Sequence, residues 1–100
     1  MAKGYWLAQV DVRNPDSYKH YVAALQDVLR KFGGCYVVRA GQSETVEGKA
    51  RSRVIVIEFP SYQVALDCYR SLEYAKAIPL RKPHADVDLL VIEGYDGAQP

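Results

Sequence analysis

No stretch of this sequence approaches the ~18 consecutive apolar residues that a transmembrane helix needs. Charge of one sign is missing too: 13 Lys and Arg stand against 12 Asp and Glu, a net +1. Without a global field nothing recruits nucleic acid or an anionic membrane. The first ten residues, MAKGYWLAQV, lack the long apolar core and small-residue cleavage site of a signal peptide. A cytoplasmic setting is therefore expected, and there the two cysteines stay free thiols. Chemical motifs are equally scarce. There is no Gly-rich phosphate loop after a strand, no GxSxG elbow, and no CxxC or His/Cys cluster with metal-ligand spacing. Neither a metal nor a cofactor is expected. What remains is 100 residues, 49% hydrophobic and 25% charged, which is ordinary for one globular domain over residues 1–100.

Periodicity organises that domain. Residues 4–12 alternate, with Trp6, Ala8, Val10 and Val12 on one side and Tyr5, Leu7, Gln9 and Asp11 on the other, which reads as a strand. Asn14 can cap a helix and Pro15 suits its first position. Tyr18, Tyr21, Val22, Leu25, Val28, Leu29 and Phe32 then recur at three- and four-residue steps, one apolar stripe ended by Gly33-Gly34. Residues 35–41 and 53–59 read as two further strands joined by a polar connection with Gly48 near its tip. Ser61 caps a helix through about Arg70 with Cys68 inward, and Ser71 caps a short piece that Pro79 ends or bends. Residues 87–92 form a fourth strand, and the turn-rich tail from about 94 is expected to fray.

The order β-α-β, β-α-β predicts an α+β fold: a ferredoxin-like split βαβ unit, four antiparallel strands with the helices on one face. One wetted face should then be polar, yet Val54 and Val56 oppose Ile55 and Ile57, and Leu90 and Ile92 oppose Leu89 and Val91. Helices on one side cannot cover both faces. The simplest cover is a second copy, a homodimer with sheets face to face; the alternative is the LEYAKAI segment folding over the open side. The segments GYWLAQVDV, NPDSYKHY, YVVRAG, VIEFPSY, CYRSLEY and VIEGYDG, in this order, resemble a small bacterial family catalogued as domain of unknown function 1330. That resemblance implies a dimeric α+β barrel and brings no reaction. The wider superfamily includes cofactor-free monooxygenases, haem-degrading enzymes, lactone isomerases, peroxidases and ligand sensors. Members often carry Ser-Pro-Glu-Tyr where this chain has Ser71-Leu72-Glu73-Tyr74, which relaxes the start of the short helix.

Candidate site residues follow from polar groups in apolar settings. Arg39 interrupts YVVRAG and must meet a carboxylate, an anion or water. If the hairpin turns near Glu47-Gly48, Arg39 lies opposite Val56, with Glu58 one diagonal step away on the same face. A one-residue slip puts them on opposite faces. Either reading, structural ion pair or anion receptor, fits the residue types. Tyr69 and Tyr74 flank the break between two helical pieces with Arg81 near, and suit a pocket wall. Trp6 shares its face with small residues, and Gln9 aims a polar group at the presumed dimer side. Together they outline a cavity for a small organic acid. An enzyme of the monooxygenase or isomerase type, with Glu58 and Tyr74 as catalytic groups beside Arg39, is the alternative. An adjacent arginine would lower the carboxylate pKa, against what a general base needs. Cys35 and Cys68 read as packed thiols. His20 and His84, one per distant segment, are poor material for a haem or metal site. Lys49, Arg51 and Arg53 read as a solvated basic turn without aromatic stacking partners, so no nucleic-acid site is expected.

Overall fold

The computed structural model describes residues 1–100 as seven elements. They are β1 (Gly4–Val12), α1 (Pro15–Phe32), β2 (Cys35–Arg39), β3 (Arg53–Phe59), α2 (Tyr62–Tyr69), α3 (Leu72–Arg81) and β4 (Ala85–Glu93). The four strands form one antiparallel sheet in the order β2-β3-β1-β4. This is the ferredoxin-like arrangement that the strand and helix order predicts. No helix is long and apolar enough to cross a membrane.

The ends of α1 show why it forms where it does. The Asn14 side chain accepts the Ser17 N–H at 3.2 Å, and Pro15 occupies the first turn. Gly33, at φ 72°, takes the left-handed cap, and Gly34 N–H donates to the Leu29 carbonyl at 2.8 Å. The stripe Tyr18, Tyr21, Leu25, Val28 and Leu29 is buried against Trp6, Ala8, Val10, Ile57 and Phe59 of the sheet. Gly4 is required by close approach: a Cβ there would lie 2.3 Å from the Ser61 carbonyl oxygen.

α3 joins the same layer. It packs on α1 through the Tyr21–Tyr74 contact and the Lys31–Glu73 ion pair. It therefore leaves the opposite sheet face uncovered, and the cover by LEYAKAI is not what the chain does. Pro79 neither ends nor breaks this helix, which runs on to Arg81. Ala75, whose carbonyl loses a donor to the proline, is exposed to water like Pro79 itself. Those last residues bring Arg81 back toward the sheet.

β2 is shorter than expected, ending at Arg39 before Ala40 at φ 52°. Its register shifts between Tyr36 and Val38, so Arg39 pairs with Ile55 and not with Val56. β4 is longer, from Ala85 to Glu93.

The uncovered face carries Leu7, Val38, Leu90 and Ile92, which remain 36%, 39%, 52% and 45% exposed. Leu7 pairs with Val56 and with Leu90, so these side chains adjoin across β3, β1 and β4. A contiguous apolar strip on a sheet is far from the scattered single exposures of an ordinary surface.

Candidate functional site

An aromatic cluster sits where β1 passes under the helices. Trp6 lies 5.0 Å from Tyr74, 5.1 Å from Phe59 and 5.9 Å from Tyr69 between ring centroids. Its indole N–H donates to the Ala65 carbonyl at 2.8 Å, and the side chain is 1% exposed. Trp6 is thus satisfied core, not an open pocket wall. Tyr74 is equally buried, and its hydroxyl meets that of Tyr21 at 2.9 Å. Burial raises the pKa of Tyr74 and holds that of Tyr21 well above the usual phenol value. Both stay neutral hydrogen-bond donors.

Arg81 stands beside this pair. It is 8% exposed, its guanidinium lies 5.8 Å from the Tyr21 ring centroid, and its buried Nε has no hydrogen-bond partner. Carboxylates nearby are already engaged. Asp88 and Asp11 take Arg51 at 2.9 and 3.0 Å, and Asp86 takes Arg13. Neither Arg81 nor its neighbour Lys82 forms an ion pair, so a positive surplus remains in a largely apolar wall. That wall belongs to the largest concavity, about 580 Å³, lined among others by Leu7, Gln9, Val54, Tyr69, Arg81, Lys82 and Leu90. Its lining comes from both sides of the sheet: Tyr69, Arg81 and Leu89 lie on the helix side, Leu7, Gln9 and Leu90 on the uncovered face. Tyr69 and Arg81 are thus brought together and Gln9 is not. Leu7, Gln9 and Leu90 belong to the uncovered face, so the concavity opens onto the apolar strip.

Other expected site residues lie elsewhere. The shifted register puts Arg39 on the side of Ile55 and Tyr36, exposed at the sheet edge and stacked 4.3 Å from the Tyr36 ring centroid. Glu58 pairs with Tyr5 on the opposite face and accepts the Tyr5 hydroxyl at 3.0 Å. This is a correction: Arg39 and Glu58 do not share a face, because the bulge adds one residue that local patterning does not reveal. Glu58 and Tyr74 are likewise on opposite sides of the sheet, so no carboxylate–tyrosine–arginine pocket forms around them within the protomer. Cys68 is fully buried, and burial pushes its thiol up to about 12. Cys35 departs from expectation: it is exposed, because β2 is an edge strand. His20 is exposed and His84 half-buried, and no three His, Cys, Asp or Glu side chains gather as a metal site.

Sequence reasoning missed Arg51. It is no loose basic turn: its guanidinium bridges Asp11 and Asp88, while its backbone N–H donates to the Gln9 side chain at 3.0 Å. Hydrogen bonds to Asp88, then to Asp11, raise its pKa further. The signal was present in Asp11 and Asp88, acids directed by strand alternation to the uncovered face.

The profile of the domain of unknown function DUF1330 matches residues 3–95. The chain belongs to that family. No curated protein matches it. Among solved structures it resembles a protein of unknown function from Rhodopseudomonas palustris, at 20% identity and a TM-score of 0.73, covering 99% of this chain and 85% of that one. It also resembles SnoaB, a cofactor-independent oxygenase from Streptomyces nogalater, at 8% identity and a TM-score of 0.68 over 100% and 97% of the two chains. An antibiotic biosynthesis monooxygenase shares 15% identity and a TM-score of 0.52 over 99% of this chain and all of that one. At these identities the likeness is one of fold: this DUF1330 chain has the α+β architecture of a structural class that includes oxygenases.

Proposed function

We propose that this protein is a homodimer that binds a small organic anion, with Arg81 rather than Arg39 as the anchor. The observation carrying the reading is a buried arginine, its Nε unpartnered, in the wall of a concavity of about 580 Å³. An uncompensated buried charge costs several kcal/mol, roughly, unless something pairs with it. Small-molecule sites commonly measure about 300–1,000 Å³ and combine apolar walls with few polar groups. Self-association follows from the strip of Leu7, Val38, Leu90 and Ile92. A second sheet laid on this face would cover the Leu7, Gln9 and Leu90 side of the concavity, on the other side of the sheet from Arg81.

The fold is shared with a cofactor-independent oxygenase. The acid/base set expected for such chemistry, Glu58 with Tyr74, is divided by the sheet, so binding is the better-supported reading.

Two measurements test it. Sedimentation should give about twice the 11.2 kDa chain mass. Leu7→Asp should dissociate or unfold the protein, whereas Val10→Asp, under the helices, should unfold the protomer itself. A panel of small carboxylates should raise the melting temperature of the parent and of Arg39→Met, and leave Arg81→Met unmoved. At a hundred times the dissociation constant that linkage is worth ~2.7 kcal/mol. A compact monomer at micromolar concentration defeats the dimer; equal carboxylate stabilisation of parent and Arg81→Met defeats the anchor.

A further inference from the structure

Behind Arg81 lies a second, small cavity of about 30 Å³ between sheet and helices. It shares Ala8, Arg81, Val87 and Leu89 with the outer concavity, so the two spaces meet at the arginine. Its polar lining consists of Tyr18, Tyr21 and Arg81 alone. The space suits an oxygen atom or a water, which needs at least roughly 10–15 Å³ of such volume.

Hydrogen accounting at this point is unbalanced. The hydroxyls of Tyr21 and Tyr74 bond only each other. Two hydroxyls carry two hydrogens; one lies between the oxygens, and the other has no acceptor. The buried Nε–H of the Arg81 guanidinium adds a further donor without a protein acceptor. Every nearby carboxylate is held by Arg51 or Arg13. Donors therefore converge on one place, and no hydrogen bond joins them to the one other polar group of the lining, the Tyr18 hydroxyl.

We propose that the acceptor is the headgroup of a monocarboxylic acid with an apolar body. The carboxylate lies against the Arg81 guanidinium and turns one oxygen inward to take the spare hydrogen of the Tyr21–Tyr74 pair. The body extends outward along Tyr69 and Leu89 on the helix side. Charge-assisted bonds of this kind are the strong ones, and the planar guanidinium matches a planar carboxylate. A phosphate or sulfate presents more oxygens than the two hydroxyls and one guanidinium satisfy, and the apolar walls would strand the rest. Burial keeps both phenols protonated, so the site stays a donor set throughout the neutral range. This inference rests on the anion-binding reading above and adds the headgroup and the phenol contact.

Calorimetry on the whole protein tests it with hexanoate and phenylacetate, their primary amides, and inorganic sulfate. Both carboxylates should bind, and the amides and sulfate should bind at least about tenfold more weakly. Tyr21→Phe should weaken carboxylate binding about tenfold, whereas Tyr74→Phe, which leaves the Tyr21 hydrogen free to reach the carboxylate, should not. Arg81→Met should remove carboxylate binding. If that variant does not fold, Arg81→Lys keeps the charge without the fork and should also weaken it. Unchanged affinity in Tyr21→Phe, with binding lost on changing Arg81, overturns the phenol contact and leaves the anion anchor standing. Sulfate binding as tight as carboxylate overturns the carboxylate class. No binding of any anion to the parent overturns both readings.

Discussion

Tyr21 and Tyr74 meet across the packing of α1 on α3 with their hydroxyls 2.9 Å apart and their side chains 5% and 0% exposed. Changing one of them to Phe leaves the other hydroxyl buried without a partner, which costs about 1–3 kcal/mol. Changing both removes the mismatch and leaves two rings of nearly the same shape, so the double variant should recover most of the loss. The single variants should differ. After Tyr74→Phe, the Tyr21 side chain still borders the inner cavity, where a water can serve it, placing this variant at the low end of that range. After Tyr21→Phe, the orphaned hydroxyl is that of Tyr74, which lines neither cavity, placing this variant at the high end. For a chain of this length each kcal/mol is worth roughly 4–8 °C in Tm. The singles should thus fall by about 4–24 °C. Urea titration at one fixed protomer concentration reads the effect as a lowered midpoint at unchanged slope. Additive losses in the double variant would show that the hydroxyls are not coupled, and the pair would lose its meaning as a donor set.

Two further outcomes concern individual groups. Cys35, exposed on the edge strand, should react with a thiol reagent before Cys68, whose thiol is buried and pushed up to about 12; early loss of Cys68 in the native protein would contradict its burial. The Asp11 carboxyl is held below its ordinary value, first by the Ser52 backbone N–H and then by the Ser52 and Arg51 side chains. A depressed folded pKa gives stability that is present above the unfolded value, about 4, and lost as pH falls through the folded one. Asp11→Asn should therefore flatten the fall in Tm below about pH 4; parallel acid limbs for parent and variant would refute that linkage.

The contrast between Arg39 and Arg81 shows where sequence reasoning stops. Arg39 reads as a cation inside an apolar strand, and Arg81 as a neighbour of Tyr69 and Tyr74. Arg39 became exposed because a bulge and an edge position put its side chain at the rim, stacked on Tyr36. Arg81 became buried because α3 continues through Pro79, which local rules would have made an end or a bend. Arg51 shows the same limit from the other side: as part of a basic run it looks solvated, yet it ties two acids on different strands.

By itself the sequence determined the parts whose causes are local. Alternation and caps placed β1, α1, β3 and α2 within a residue or two, because side-chain period and capping chemistry act over a few residues. Apolar residues on both sides of the strands also declared that one sheet face would lack cover from this chain. Tertiary structure decided which polar groups meet. Strand register, the path of α3 and the engagement of each acid depend on residues dozens of positions apart, and a single inserted residue in β2 reverses a face. The burial of Arg81 beside Tyr21 is set only once those long-range choices have been made.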